Sequence, residues 1–215
     1  MNKLNKIKLL EGKLICVTGL HIGGGDNGMH IGGTDNPVIK KVGAVSEPYI
    51  PGSSLKGKIR SLLELYKGGN EFDSDLAQLF GKKAKDNDNK HISSAVGRLS
   101  FWDCFLTEEW KQKVQEKDLP YTEVKMENVI DRASGTAQHP RNTERVISGS
   151  EFNFKLTIKD FEGDNFENLI LTGLKLLELD SLGGSGSRGY GKVRFENLTI
   201  DGTSVQSKFD GIKLF

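Results

Sequence analysis

The chain has 215 residues, of which 36% are hydrophobic and 27% charged, enough for one substantial domain or two small ones with a packed core. A mean hydropathy of -0.42 and the lack of an apolar run near the ~18 residues that a membrane helix needs exclude a spanning segment and a membrane partner. The N-terminus does not resemble a signal peptide, and the two cysteines, Cys16 and Cys104, have no metal-binding spacing, so we expect a cytoplasmic protein with buried thiols.

The net charge of +1 conceals an uneven distribution along the chain. Residues 1–70 carry ten Lys/Arg and five Asp/Glu, residues 71–180 carry fifteen and twenty-one, and residues 181–215 carry five and three. Both basic ends contain clusters of glycine, so they could together build an anion-binding surface. The alternative is a solvated charged face, which is common in globular proteins.

The first half of the chain predicts a strand, a long loop and a helix. Residues 7–20 are rich in β-branched and aliphatic side chains and predict the first strand. Residues 21–50 contain many glycines and predict a loop or lid. Helical spacing of apolar residues over 51–66 predicts a helix with Ser53 or Ser54 as its N-cap. A short helix over 73–80 and a polar, mobile loop over about 81–91 follow.

The second half predicts a strand, a hairpin, a strand, a helix and a strand. Residues 98–105 and 151–159 read as strands, with a protruding hairpin over about 120–149 between them. A helix beginning near Asp164 or Glu167 ends at Gly183, and residues 192–200 form the last strand. The order βαββαβ predicts an α+β protein of one domain, residues 1–215, with a ferredoxin-like (RRM-like) core, a lid and a thumb.

Two glycine motifs match the dinucleotide pattern GxGxxG, at Gly23 and at Gly184. Neither lies between a strand and a helix as that fingerprint requires, so nucleotide-cofactor binding is disfavoured. The segment RGYGKVRF from Arg188 to Phe195 fits an RNA-binding pattern except at Lys192, where an aromatic residue is expected. It predicts either a glycine turn that packs on a nucleic-acid backbone or a turn that needs positive φ.

Polar residues near the helix start and in the lid are further candidates. Ser53, Ser54, Lys56 and Arg60 lie where backbone amides, the helix dipole and two cations would favour phosphate, although solvated charges beside an ordinary cap explain them equally well. From its spacing alone, Asp35 before Pro37 is an ordinary turn former, and Asp26 is a weaker candidate for a functional carboxylate. The spacing of His21 and His30 matches no metal site or triad.

Six segments together resemble a known family over nearly the whole chain: the RAMP-superfamily backbone subunits of type III-A CRISPR (Csm) effector complexes. The segments are TGLHIGG, IGGTDNPVIK, PYIPGSSLKGKIR, YTEVKMENVIDR, PRNTERV and LGGSGSRGYGKVRFENL. The resemblance implies a prokaryotic protein whose copies stack in a filament on a CRISPR guide RNA, with other Csm subunits, and cleave complementary target RNA at regular intervals. The thumb of each copy would distort the duplex.

The resemblance also assigns residues. It implies that Asp35 is the catalytic residue and a metal ligand once RNA is present, with Mg²⁺ or Mn²⁺ as the cofactor. It implies guide contacts by His21, Ser54, Lys56, Arg60, Gly184, Ser185, Ser187 and Arg188, and duplex contacts by the thumb residues Arg132, Thr136 and Arg141. For the acidic residues Asp103, Glu123, Glu127 and Glu144 we expect fold-supporting salt bridges rather than metal ligation. Residues 82–90 and the tail after Asp201 match nothing specific, and we expect variable or disordered segments there.

Two alternatives stay open at this point. The first is a purely structural RNA-binding filament subunit in which Asp35 only shapes the lid. The second is a ribonuclease that processes guide precursors through a histidine-centred acid and base, for which His21 and His30 are the candidates.

Overall fold

The computed structural model describes residues 3–24, 34–43, 45–68, 74–81 and 96–215. In the first half of the chain, the elements are β1 (Leu4–Cys16), β2 (Tyr49–Ile50), α1 (Gly52–Tyr66), α2 (Ser74–Phe80), β3 (Leu99–Phe101), β4 (Cys104–Phe105) and α3 (Glu108–Glu116). In the second half they are β5 (Thr122–Ile130), β6 (Ala137–Val146), β7 (Glu151–Phe161), α4 (Glu167–Leu179), β8 (Val193–Ile200), β9 (Thr203–Ser204) and α5 (Gln206–Asp210).

The main sheet is antiparallel, with the strand order β3-β7-β1-β8-β9. Its long central strand β1 pairs with β7 from Leu4↔Phe161 to Ile15↔Glu151 and with β8 on its other side. The units β1-α1-β3 and β7-α4-β8 therefore interleave in one sheet. This is the predicted ferredoxin-like βαββαβ core, so the fold class is confirmed.

The core lies between this sheet and the helices α1 and α4. The alternation of β7 buries Phe152, Phe154, Leu156 and Ile158 on one face, and each fully buried side chain of this kind contributes about 1.5–3 kcal/mol. The two helices approach closely at Gly173, where an added Cβ would lie 2.7 Å from Ile59 Cγ2. The helical spacing of apolar residues in α1 therefore predicts its packing face correctly.

Several boundaries differ from the prediction. The strand predicted over 98–105 is split, because Cys104–Phe105 turns away to pair with Tyr49–Ile50. Helix α3, with Thr107 as its N-cap, was not predicted. The tail after Asp201 is ordered rather than disordered, since Phe209 of α5 is fully buried against the core. The loop predicted to be mobile lies almost entirely outside the described residues.

A two-stranded hairpin of β5 and β6 projects between α3 and β7. The strands pair from Thr122↔Val146 at the base to Ile130↔Ala137 near the tip, with a register shift between Glu127 and Val129. Such a shift bends a ribbon and increases its twist. None of the described helices is long and apolar enough to cross a membrane.

One end of the sheet collects the segments that carry the predicted site. Because β1 is antiparallel to β7 and β8, its last residues lie beside the first residues of both, as the pairs Ile15↔Glu151 and Cys16↔Val193 show. The C-terminus of α4 is joined to the start of β8 by residues 180–192, so this connecting loop lies at this end as well. The base of the hairpin precedes β7 and is located here too.

Candidate nucleic-acid interface

The segment after β1 passes between the hairpin and the glycine-rich loop that joins α4 to β8. Val17 N–H donates to the carbonyl of Lys192 at 2.8 Å. Leu20 forms an antiparallel bridge with Val146 at the base of the hairpin. This segment therefore connects two surfaces that are far apart in the sequence, and residues from the lid, hairpin and loop meet around it.

Asp35 lies at the junction of the lid and the hairpin. Asn36 forms a parallel bridge with Thr143, which adds the lid segment to β6 on the edge opposite β5. The backbone N–H of Asn142 donates to Asp35 Oδ2 at 3.0 Å, and the Asp35 side chain is exposed. The carboxylate predicted to be catalytic is thus tied to the hairpin and open to solvent.

Glu144 is the buried carboxylate that joins the lid to the hairpin. Its side chain accepts hydrogen bonds from Val38 N–H at 3.0 Å and Thr122 Oγ1 at 2.7 Å, and it pairs with Lys40. Burial alone would raise the pKa of Glu144, but the hydrogen bonds from Lys40, Thr122 and Val38 together lower it. Its backbone carbonyl lies 2.7 Å from His21 Nδ1. Since a carbonyl can only accept, Nδ1 carries the proton.

The four acidic residues of uncertain role act mostly in ion pairs. Glu123 pairs with Arg145, Glu127 with Arg188 and Lys125, and Glu144 with Lys40. These three agree with the expected fold-supporting salt bridges. Asp103 differs, because its Oδ1 accepts the backbone N–H of Gly52 at 2.8 Å.

This hydrogen bond corrects the predicted cap of α1. The N-cap residue is Pro51, which has no side chain able to cap, and Ser53 and Ser54 lie inside the first turn. The helix begins one residue before the serines, so neither can serve as N-cap. Asp103 supplies the missing acceptor from the segment between β3 and β4, a partner that local sequence does not reveal.

The glycine-rich loop is shaped by backbone conformations that favour glycine. Gly183 has φ +76°, and an added Cβ would lie 2.2 Å from the carbonyl oxygen of His21. Gly191 has φ +71°, and a Cβ added to it would lie 1.9 Å from the carbonyl oxygen of Leu182. Gly184 N–H donates to the His21 carbonyl at 2.9 Å. The positive φ predicted for this turn is therefore present, and it brings Gly184 against His21.

Ser185 precedes the 3-10 turn Gly186–Arg188 of this loop, and Arg188 is the last residue of the turn. Ser187 and Arg188 are exposed, and Ser185 has a left-handed backbone with φ +59°. Of the four loop residues predicted to contact RNA, Gly184, Ser187 and Arg188 are therefore exposed, whereas Ser185 is half-buried.

The predicted residues of α1 make different contacts. Arg60 Nε donates to Glu64 Oε1 at 2.7 Å, one turn along the same helix. Ser54 and Lys56 are half-buried. Lys58, which sequence reasoning did not select, pairs with Asp180 at 2.6 Å, at the residue that follows α4. It is this cation that joins the early turns of α1 to the start of the glycine-rich loop.

Tyr190 is a second residue that sequence reasoning missed. It is 1% exposed, and its hydroxyl donates to Glu127 Oε1 at 2.9 Å. Lys125 Nζ lies 4.6 Å from the ring centroid and Arg145 Cζ lies 4.9 Å from it. Glu127 also receives Arg188 Nη1 at 2.9 Å. The loop and the hairpin are therefore connected by a cluster that we call the Tyr190 cluster: Tyr190, Glu127, Arg188, Lys125 and Arg145.

The thumb residues Arg132, Thr136 and Arg141 are exposed on the hairpin. Arg132 and Thr136 belong to its tip, roughly 25 Å along β5 from the base. Asp131 stabilises the tip, because its Oδ1 accepts the backbone N–H groups of Ala133 and Ser134. The structure therefore separates Arg132 and Thr136 from the lid and the loop along the length of the ribbon. Arg141 instead lies opposite Glu127 and next to Asn142, the residue that donates to Asp35.

The family resemblance names Asp35 as the residue that would hold a divalent cation. Within the part of the chain that the structure describes, no three His, Cys, Asp or Glu side chains group as metal ligands. An exposed carboxylate is a suitable donor for Mg²⁺ or Mn²⁺, but six-coordinate ions need more oxygen ligands than one side chain offers. Asp26 and His30, the other candidates of the lid, lie outside the described residues.

These features define an α+β protein with a ferredoxin-like core and a surface of lid, loop and hairpin at one end of its sheet. The sequence profile of the RAMP superfamily matches residues 13–194, and the chain belongs to that family.

Relatives of known name cover most of the chain. It is 47% identical over 208 residues to a Streptococcus thermophilus protein named "CRISPR system Cms endoribonuclease Csm3", covering 90% of this chain and 88% of that protein. Proteins of the same name from Enterococcus italicus and Methanocaldococcus jannaschii are 40% and 42% identical. The Enterococcus italicus match covers 98% of both chains, and the Methanocaldococcus jannaschii match covers 89% of this chain and 79% of the relative.

Solved structures agree on the fold. A crystal structure of a Csm3-Csm4 subcomplex in the type III-A CRISPR-Cas interference complex is 28% identical, with a TM-score of 0.58 and coverage of 98% of both chains. A type III-B Cmr-beta structure bound to cognate target RNA is 17% identical, covers 91% of this chain and 61% of that chain, and has a TM-score of 0.62. At that identity the second match shows the fold alone.

Proposed function

We propose that this chain is a guide-RNA-binding backbone subunit of a type III-A CRISPR interference complex and that it cleaves complementary target RNA with Asp35. The observation that carries the proposal is the position of Asp35: its carboxylate is exposed and fixed by Asn142 N–H where the lid joins the hairpin. The names of relatives at 40–47% identity, all endoribonucleases, support the reaction class.

The partners follow from the same family. The guide RNA would lie along the surface formed by His21, α1 and the glycine-rich loop, where cations and exposed backbone amides favour phosphate. Copies of this chain and other Csm subunits would extend the surface along the guide. Target RNA pairs with the guide, and the hairpin would contact the duplex through its exposed arginines.

The chain's own residues would position the reacting groups. The 2′-hydroxyl of the target nucleotide attacks its own phosphorus, the P–O5′ bond breaks, and the proton lost by the 2′-oxygen is balanced by one gained at the 5′-oxygen. A divalent cation, when bound with the RNA, supplies neutralisation of the phosphate charge. Asp35 would hold that cation, and the hairpin would bend the strand so that the attacking oxygen aligns with the leaving oxygen. Alignment of this kind supplies several powers of ten in rate.

The test compares Asp35→Asn and Asp35→Ala in the assembled complex, with labelled target RNA, in magnesium and in EDTA. Asparagine retains an oxygen that accepts the N–H of Asn142 but lacks the charge. We expect both variants to bind target normally and to cleave it at least about a hundredfold more slowly. A loss of this size is usual when a principal charged catalytic group is removed. Wild-type products should carry 2′,3′-cyclic phosphate and 5′-hydroxyl ends.

The outcomes separate the proposal from a structural role. Full cleavage by Asp35→Asn with loss only in Asp35→Ala would show that Asp35 shapes the lid rather than reacts. Full cleavage by wild type in EDTA would contradict the metal requirement and favour the histidine-centred alternative. Loss of target binding in both variants would contradict a purely catalytic Asp35.

A further inference from the structure

Arg188 is already paired within the protein. Its Nη1 lies 2.9 Å from Glu127 Oε2, across the contact between the glycine-rich loop and β5. The Arg188 side chain is 58% exposed, whereas that of Glu127 is 17% exposed. The arginine is therefore free to turn toward solvent, and the carboxylate is held in the protein surface.

Glu127 does not depend on Arg188 for its hydrogen bonds. The Tyr190 hydroxyl donates to Oε1 at 2.9 Å, and Lys125 Nζ lies 3.2 Å from the same oxygen. Tyr190 is itself fixed, because it is buried and its ring packs against both Lys125 and Arg145. Hydrogen bonding from Tyr190, together with Lys125 and Arg188, lowers the pKa of Glu127, so it stays ionised at neutral pH.

This arrangement places a carboxylate where an RNA phosphate would bind Arg188. Both groups are anionic oxygen acceptors that arginine binds in the same way. Because the Arg188 side of the ion pair is mostly exposed, exchanging the carboxylate for a phosphate costs little at Arg188. A phosphate that binds Arg188 nonetheless lies within a few ångströms of Glu127. Glu127 stays charged because Tyr190 and Lys125 still stabilise its carboxylate, so the phosphate and the carboxylate repel each other.

We propose that Glu127 is an internal competitor for the phosphate site of Arg188, so that the loop contacts an RNA backbone only when other contacts hold that RNA in place. The inference rests on the proposed guide contact of Arg188. It assigns Glu127 to control of RNA binding rather than to metal ligation or catalysis. A short or unrelated RNA, which makes few other contacts, gains least from Arg188 as long as the carboxylate occupies it.

The test measures binding of a labelled single-stranded oligouridine and of a guide RNA to the full chain by fluorescence anisotropy at low and moderate salt. Glu127→Gln keeps the shape of the side chain and an acceptor for Tyr190 while removing the charge. We expect it to bind oligouridine three- to tenfold more tightly than wild type. Arg188→Ala should bind the guide RNA more weakly and change oligouridine binding little, and the double variant should bind oligouridine no more tightly than Arg188→Ala.

Glu123→Gln is the matched control. It removes the same charge from the same strand, but its partner Arg145 stays packed against Tyr190 and Gly19. We expect its affinity to lie within twofold of wild type. Glu127→Ala is a second variant that should show the same gain, and thermal unfolding confirms that each variant is folded.

The results distinguish this inference from the function on which it rests. If Arg188→Ala weakens guide-RNA binding but neither Glu127→Gln nor Glu127→Ala strengthens oligouridine binding, the competition is overturned and the guide contact stands. An equal gain in Glu123→Gln, or a gain that persists in the double variant, also overturns it, since general charge removal then explains the effect. Unchanged guide-RNA binding by Arg188→Ala contradicts the guide contact and the inference together.

Discussion

At the scale of single residues, Glu144 makes the most demanding set of contacts in the site. Replacing it with glutamine leaves Lys40 without its carboxylate in a mostly buried position. We expect Glu144→Gln to lower the free energy of unfolding at pH 7 by about 1–3 kcal/mol, the usual cost of breaking a buried charged hydrogen bond. Urea denaturation monitored by circular dichroism measures this difference.

The same variant predicts a pH dependence. Because the pKa of Glu144 is lower in the folded protein than in the unfolded chain, its stabilisation is complete above the unfolded pKa of about 4.3–4.5 and is lost as pH falls through the folded pKa. The difference between wild type and Glu144→Gln should therefore be constant from pH 7 to 6 and shrink below about pH 4.5. Glu123→Gln, whose side chain is 45% exposed, should cost at most about 1 kcal/mol. If the stability difference between wild type and Glu144→Gln grew at low pH, this account would be contradicted.

At the scale of elements, the start of α1 depends on a residue outside the helix. We expect Asp103→Ala to destabilise the protein by about 1 kcal/mol, as loss of a helix cap does, because Gly52 N–H loses its acceptor. Ser54→Ala is the control and should change stability by less than about 0.5 kcal/mol, since Ser54 is not the N-cap. Thermal unfolding of the two variants tests this prediction. A larger loss of stability in Ser54→Ala than in Asp103→Ala would show that Ser54 caps the helix, as the local sequence predicts.

At the scale of the whole molecule, RNA binding should be confined to one end of the sheet. We expect Lys56→Ala to reduce the slope of log affinity against log salt by about 0.7, the value for one phosphate contact to single-stranded RNA. Lys208→Ala is the control, because Lys208 pairs with Glu167 at the opposite end of α4. Equal changes of slope in both variants, measured by anisotropy, would show diffuse attraction rather than a defined surface.

The fold was largely predictable because its signals are local. Alternation over β7 and helical spacing over α1 and α4 each express burial of one face, and their order along the chain fixes the βαββαβ class. The errors also have local causes. Thr107 followed by two glutamates marks the start of α3 and was overlooked, whereas the burial of Phe209 in the tail has no periodic signal because α5 has only five residues.

By itself, the sequence determined the fold class and the family resemblance, and that resemblance names most of the residues of the predicted site, with Asp35, His21 and Arg188 among them. The tertiary structure alone decided how these residues are held. Glu144 meets Lys40 and Val38 across 104 and 106 residues, and Tyr190 meets Glu127 across 63. Such partners depend on the pairing of distant strands and on glycines that let loops pass closely, and no local pattern of side chains encodes that geometry.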